Sequence, residues 1–219
     1  MPDVKPDGAI LQRDKTTWAI VPRTPTGLLT LEFLEKLAAV VRKYNIPITK
    51  ITSGQRLALV GVKQEEIEPI RAELNVGIGR ALELCLHYVQ ACPGNSVCSL
   101  GVRDSLALGN HLEQRLMGVE LPAKLKIGVS GCPMTCSEGH VRDLGLIGKH
   151  SGWVVTFGGN SGGRPRIADI MGEGLDDEAA VALIDKLVEF YRLNAKKKER
   201  TARMVERLGI EAVKAAVLG

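Results

Sequence analysis

Aromatic side chains are scarce: Phe, Trp and Tyr together make up 4% of the sequence. A pocket in such a chain is lined mainly by aliphatic side chains and backbone, and stacking platforms for nucleic-acid bases are few. No stretch approaches the ~18 uninterrupted apolar residues of a membrane span. The opening MPDVKPDGAILQRDK holds no apolar h-region, so no secretory signal is read there. Charge of one sign is lacking too, with a net value of only +4. The one basic run, AKKKERTAR at 195–203, is interrupted by Glu199 and carries no aromatic residue. It reads as a solvated helix end rather than a nucleic-acid site. GGNSGG at 158–163 follows a strand pattern but does not match G-x-G-x-x-G, so a flavin or nicotinamide fingerprint is missing. Internal repeats and low-complexity segments are absent as well. These absences point to the cytoplasm, with no membrane and no nucleic-acid partner. There, thiols stay reduced.

What is present is the composition of a globular protein, 45% hydrophobic and 25% charged over 219 residues. That length suits one domain or two packed lobes. It buries roughly 70–75% of its unfolded surface and needs no disulfide to hold a core. TTWAIVPR (16–23) reads as a strand. TLEFLEKLAAVVRKYN (30–45) reads as a helix capped by Thr30, with its apolar stripe at 34, 37, 38, 41 and 44. ITKITS and RLALVGV read as strands broken at Ser53-Gly54, and KQEEIEPIRAEL as a second helix. This α+β unit resembles half of a ferredoxin-like fold. A linking segment then leads to the first cysteine pair. GVRDSLALGNHLEQRLMG (101–118) is a strong helix pattern, KLKIGVSG, DLGLIG and GWVVTFGGN read as strands, and the chain from Asp176 onward reads as helical. The expected boundaries are 1–76 for the first unit and 77–219 for the second.

Five cysteines are an odd number, awkward for a disulfide framework. Cys85 sits on the apolar side of ALELCLHYV and is assigned to the core. The other four form two pairs, Cys92 and Cys98 in CPGNSVC, and Cys132 and Cys136 in GCPMTC. Each pair lies in a turn beside Pro and Gly, a loop chemistry that aims thiolates and backbone N–H groups at one point. Structural zinc favours cysteines two to four residues apart, so the second spacing fits zinc and the first is wide for it. Four thiolates match the ligand count of a [4Fe–4S] cluster, although the spacing differs from the ferredoxin runs. A cluster ranks above zinc, and zinc above cysteines that are merely buried.

CPGNSVC and GCPMTC, with LPAKLKIGVSG leading into the second pair, resemble the sirohaem and iron–sulfur domain of the sulfite and nitrite reductase family. ITKITSGQRLALVGV resembles that family's ferredoxin-like half-domain, and GGNSGGRPR and RTARMVERLG its later segments, so the resemblance spans nearly the whole chain. It implies an α/β sirohaem and [4Fe–4S]-binding domain with a helical C-terminus behind the half-domain. Cys92, Cys98, Cys132 and Cys136 would hold the cluster, and Cys136 would also be the axial ligand of the sirohaem iron, joining electron store to substrate iron through one sulfur.

Sulfite and nitrite are small oxyanions whose reduction takes up six electrons and several protons, so a site for them needs positive charge and proton donors. In a strand, Lys124 and Lys126 project to one face. By resemblance they bind substrate and deliver protons. Arg56 in SGQRLAL is a further candidate, for substrate or for a sirohaem carboxylate. The eight carboxylates of sirohaem call for donors, and Arg103, Arg142, Arg164 and Arg166 are candidates, with the backbone of Gly158, Gly159 and Asn160. His87, His111, His140 and His150 lack any supporting motif. The implied activity is reduction of sulfite to sulfide, with nitrite to ammonia as the alternative and a non-catalytic iron–sulfur electron carrier as a different class. Electrons would come from a ferredoxin or a reductase subunit. Large relatives hold two related halves where this chain has one, so a homodimer, or a simpler and more open site, is expected.

Overall fold

The computed structural model describes residues 8–77 and 84–219, and the chain divides into two compact units, Met1–Glu83 and Leu84–Gly219. In the first, β1 (Ile10–Leu11), β2 (Trp18–Ile20), α1 (Leu31–Lys43), β3 (Ile48–Ile51), β4 (Leu57–Val62) and α2 (Ile67–Leu74) follow one another. The sheet order is β1-β2-β4-β3, antiparallel throughout. Thr30 caps α1 by accepting the Phe33 N–H at 3.2 Å. The helix buries Phe33, Leu37 and Val40, while Leu34 stays 43% exposed. The stripe expected at 34, 37, 38, 41 and 44 is therefore rotated by about one residue. Phe33, with the larger ring, takes the core position, and Ala38 faces out. Asn75, in a left-handed conformation, ends α2.

The second unit is built on a five-stranded sheet ordered β5-β6-β7-β8-β9. Its strands are β5 (Leu86–Ala91), β6 (Leu125–Ser130), β7 (Leu144–Lys149), β8 (Gly152–Phe157) and β9 (Asp169–Leu175). β5, β6 and β7 run parallel, and β8 and β9 are antiparallel additions. The helices are α3 (Ser105–Leu116), α4 (Asp177–Asn194), α5 (Thr201–Leu208) and α6 (Ile210–Leu218). Leu125, Ile127 and Val129 of β6 share one face with Leu144 and Leu146 of β7 and with Val155 and Phe157 of β8. They form a single apolar cluster with Leu108 and Leu112 of α3 and Ile184 and Leu187 of α4.

The opposite face carries Tyr88 and Gln90, Lys126 and Gly128, then Gly145 and Thr156. Over it passes the chain from Ser137 to Arg142, which includes a 3-10 turn at Gly139–Val141. The crossing is so close that a Cβ on Gly128 would strike the Ser137 carbonyl, and one on Gly145 the Gly139 carbonyl and Thr156 Oγ1. Glycine at these two places lets the segment after the second cysteine pair lie on the sheet.

Sequence periodicity missed two-residue β1 and two strands of the second unit. β5 is buried along five of its six residues, so it lacks alternation, and β9, DIMGEGL, carries two glycines and pairs with β8 through register shifts. The helix expected over 101–118 starts later, at Ser105. Asp104 caps it through Ala107 N–H at 2.9 Å, while the Val102 and Arg103 N–H groups go to the Gly131 carbonyl. Among the described residues no helix is long and apolar enough to cross a membrane.

Gly145→Ala is expected to destabilise the protein by about 1–3 kcal/mol through overpacking. The effect should appear as a lower urea midpoint at unchanged slope, and an unmoved midpoint would contradict the close crossing.

Candidate cluster and anion site

β5 and β6 are parallel neighbours in register, Ala91 beside Val129, so they end side by side. Cys92 follows the last residue of β5, and Cys132 comes two residues after the end of β6. Topology thus delivers both cysteine loops to the carboxyl ends of adjacent parallel strands, where open α/β sheets place their ligands. The Cys92 N–H donates to the Val129 carbonyl at 3.1 Å, and the Gly131 N–H points at Cys92 Sγ, also at 3.1 Å. The Gly131 carbonyl accepts from Val102 at 2.8 Å and Arg103 at 3.0 Å. Cysteine loops 33 residues apart in sequence (98 to 131) are therefore stitched directly together.

The stitching leaves no room for side chains. A Cβ on Gly131 would lie 2.6 Å from the Arg103 carbonyl and 2.7 Å from the Gly94 Cα. Gly94 has a φ of 63°, and its own Cβ would meet Ser105 Oγ at 2.5 Å. Ser105, fully buried, donates to the Cys92 carbonyl at 2.7 Å and lies 3.3 Å from Cys92 Sγ. A hydroxyl carries one proton, so the sulfur holds the donor role in the second contact while it remains a thiol.

Cys92 and Cys132 are buried, Cys98 and Cys136 exposed. Thr135 and Glu138, on either side of Cys136, adopt left-handed φ values of 51° and 57°. For β-branched Thr135 this is a strained conformation, of the kind that clusters at functional sites. The adjacent Ser137 Oγ and the Nε of Arg142 are buried and make no hydrogen bond among the described residues. The loop that carries Cys136 thus holds two polar groups ready for a bound group rich in acceptors. No three His, Cys, Asp or Glu side chains among the described residues gather as a single metal ion requires. A cube, each of whose four irons takes one sulfur, spreads its ligands wider than one tetrahedral ion does. The chemistry of the four thiols, and the placement of Cys92 and Cys132 at adjacent strand ends, suit a cluster.

Lys124 and Lys126 alternate with buried Ala123, Leu125 and Ile127, so both sit on the face opposite the apolar core. The Lys126 ammonium lies 5.7 Å from the centre of the Tyr88 ring, and the Arg142 guanidinium 5.8 Å from the same ring. Arg142 also donates to Gln90 Oε1 at 2.8 Å and pairs with Glu138. Burial is the main influence holding the Lys126 pKa below the ordinary lysine value, followed by the charge of Arg200; Asp143 pulls the other way, and Arg142 and Lys124 add smaller downward pushes. A lysine so placed gives up its proton more readily than a solvated one.

The other sequence candidates are positioned as follows. Gly158 donates its N–H to the Asp143 carbonyl at 2.9 Å, and Gly159 packs on the Arg142 backbone, so the glycine-rich segment abuts the cationic face. Asn160 and Arg166 bridge across a closed hairpin, and the Asn160 amide donates to the Arg164 carbonyl. Arg166 is held by Asp169 and by the carbonyls of Gly158 and Ile167. Arg103 bonds the carbonyls of Lys149 and His150, and exposed Arg164 pairs with Glu206. Arg56 belongs to the first unit, in the β3–β4 turn, where its carbonyl accepts from Thr52 N–H at 2.7 Å and the preceding Gln55 has a φ of 57°. A groove of about 500 Å³ between α3 and α4, lined by His111, Arg115 and Asp185 among others, holds none of these residues.

Sequence reading missed Tyr88, Ser105, Asp143 and Arg200. The first was hidden in an unrecognised strand. Arg200 lay inside the basic run read as a solvated helix end. The lysines of that run are exposed just past the end of α4, as read, but the run goes on into the corner before α5, where Glu199 pairs with Arg207, which lowers the Glu199 pKa to about 2.

Two parallel strands thus end in paired thiol loops beside a cationic sheet face. Residues 84–219 match the family described as the nitrite and sulphite reductase 4Fe-4S domain, and residues 10–76 match the nitrite/sulfite reductase ferredoxin-like half domain. The chain belongs to the nitrite and sulphite reductase family, whose cofactors are sirohaem and a [4Fe–4S] cluster. It is 56% identical over 215 residues to an assimilatory-type sulfite reductase of Nitratidesulfovibrio vulgaris, covering 98% of this chain and 99% of that protein. It is 37% identical over 215 residues to the large subunit of an NADH nitrite reductase of Escherichia coli, covering 96% of this chain but only 25% of that protein. In fold it resembles the Mycobacterium tuberculosis NirA protein, with a TM-score of 0.80 at 18% identity over 92% of this chain and 39% of that one. A dissimilatory sulfite reductase I structure gives 0.78 at 14% identity, over 92% of this chain and 69% of that one.

Gly131→Ala is expected to keep the helical circular-dichroism signal and to lower the iron and acid-labile sulfide bound per chain. Full loading of that variant would contradict the packing account.

Proposed function

We propose that the chain reduces sulfite to sulfide. The observation that carries this reading is the 56% identity, over nearly the full length of both chains, to a protein named as an assimilatory-type sulfite reductase. Bisulfite takes up six electrons and six protons to leave hydrosulfide and three waters, so the site must bind an anion and feed it protons. In this reading Cys92, Cys98, Cys132 and Cys136 would hold the cluster, and Cys136 would also bind the sirohaem iron. When bound, the two cofactors supply stored electrons and an open iron position.

The chain's own residues do the rest. Lys124 and Lys126 draw the oxyanion to the strand face, and Lys126 hands a proton to its oxygen. Arg142, with a buried Nε that makes no hydrogen bond among the described residues, is one of the arginines assigned to a sirohaem carboxylate. Arg103, Arg142, Arg164 and Arg166 all hold protein partners and would have to share them. Arg56 is assigned to substrate or to a second carboxylate. Electrons come from a separate donor, a ferredoxin or a reductase subunit. A second copy that lends its lysine face to this chain's cluster is the dimeric form of the proposal, and active protein sedimenting only as a monomer removes it. Nitrite reduction to ammonia is the second reading, supported by the 37% identity to a nitrite reductase subunit.

The test is an absorption and EPR spectrum of anaerobically purified protein, followed by sulfite and nitrite assays with an artificial reductant. Cys136→Ser is expected to lose or uncouple both cofactors. Lys126→Ala should keep both spectra and lose about 10²–10⁴-fold in turnover, the range for a general acid. Full activity in both Lys124→Ala and Lys126→Ala would remove the substrate assignment, and a higher kcat/KM for nitrite than for sulfite would favour the second reading.

A further inference from the structure

Asp143 is fully buried just before β7, on the sheet face that carries Lys126. Its carboxylate accepts the Lys126 backbone N–H at 2.9 Å, Arg200 Nε at 3.1 Å and Nη2 at 2.5 Å, and Thr201 Oγ1 at 2.6 Å. One carboxylate therefore ties the lysine strand to the start of α5. The corner is fixed from two further sides. Buried Tyr191 of α4 donates its hydroxyl to the Glu199 carbonyl at 2.7 Å, and the Lys198 N–H donates to the Pro122 carbonyl at 2.7 Å, just ahead of the lysine strand. A network this well satisfied permits little movement of its members.

The groups acting on the Lys126 side chain come from several elements. Lys124 lies on its own segment, Tyr88 on β5, Arg142 and Asp143 on the chain entering β7, and Arg200 at the head of α5. Tyr191 stands behind the Asp143–Arg200 pair. Glu138 is engaged by Arg142, and Glu199 by Arg207. The setting of the Lys126 ammonium thus holds three cations against one buried carboxylate.

We propose that Arg200 is a positioning residue for Lys126: clamped on the carboxylate that also holds the Lys126 backbone N–H, it fixes a positive charge close to that residue and makes the lysine a ready proton donor. The proposal rests on the reading of Lys126 as the group that protonates the oxyanion. In that step an N–H bond of the ammonium breaks, an O–H bond forms on the substrate, and the neutral amine regains its proton from water. A neighbouring fixed cation favours the neutral amine and so favours the transfer. The downward push of Arg200 and the upward pull of Asp143 on the Lys126 pKa agree with this geometry.

The two partners act on Lys126 with opposite signs, and that makes the proposal testable. Competitive labelling of the full chain, as purified, with trace acetic anhydride across pH, read by peptide mass spectrometry, gives the titration midpoint of Lys126 directly. Arg200→Gln removes a cation and is expected to move the midpoint to higher pH. Asp143→Asn removes the anion and is expected to move it to lower pH. Arg200→Lys keeps the charge and should return the midpoint toward wild type. The alkaline limb of the turnover profile should move in the same order. A purely structural network would lower stability in both variants without separating their midpoints.

Midpoints that move together, or not at all, overturn the proposal. Should Asp143→Asn fail to fold, the Arg200→Gln and Arg200→Lys pair decides by the same measurement. If the midpoints separate as stated while Lys126→Ala keeps full turnover, the proton-donor reading fails and the proposed role of Arg200 fails with it. If Lys126→Ala loses turnover but the midpoints stay put, the role of Arg200 fails alone.

Discussion

Everything in the second unit follows from β5 and β6 lying parallel, in register, and stopping together. Because they do, Cys92 and the segment leading into Cys132 leave the sheet at one edge and meet through the Gly131 N–H and the Cys92 sulfur. Parallel strands require a long crossover, and α3 provides it, packing its Leu108 and Leu112 on the sheet face away from the lysines. The apolar core and the chemistry are thus divided between the two faces of one sheet. Glycine is required where backbone passes close to backbone. Gly94, Gly101 and Gly131 let the cysteine loops touch, and Gly128 and Gly145 let the returning chain cross the sheet.

That returning chain does two things at once. It bends sharply around Cys136, through left-handed Thr135 and Glu138, and leaves the sulfur exposed while Cys132 stays buried. It then lays Arg142 over the Tyr88 ring beside Lys126 and delivers Asp143 into the interior. Thiols and cations are neighbours because one short segment carries both. Burial and neighbouring cations make Lys126 a better acid than a solvated lysine, as the role proposed for it requires.

The network around Asp143 extends this logic to the C-terminal helices. A buried ion pair gives little net stability against a hydrophobic replacement, yet losing one partner is strongly destabilising. Asp143, Arg200 and Thr201 therefore act as a lock rather than a glue, holding the α4–α5 corner in one relation to the lysine strand. The run AKKKERTAR illustrates the point. Its charges look solvated when counted along the chain, but the structure uses Glu199 on Arg207 and Arg200 on Asp143.

Local signals determined a good deal. Cysteine spacing, with Pro and Gly beside each pair, carried the cluster assignment and the family resemblance, because loop chemistry is written in neighbouring residues. Thr30 as a cap, the strand alternation at Lys124 and Lys126, and the buried state of Cys85 were legible for the same reason. Periodicity failed for β5, which is buried on both faces, and for glycine-rich β9. The α1 stripe was displaced by about one residue, because ring size rather than count chose Phe33 for the core. Tertiary structure alone decided that Asp143 meets Arg200, 57 residues further along, that Tyr88 lies under both Lys126 and Arg142, and that the Gly131 amide meets the Cys92 sulfur. Such contacts depend on which strands pair and in what register, and nothing in the residues adjacent to either partner encodes that.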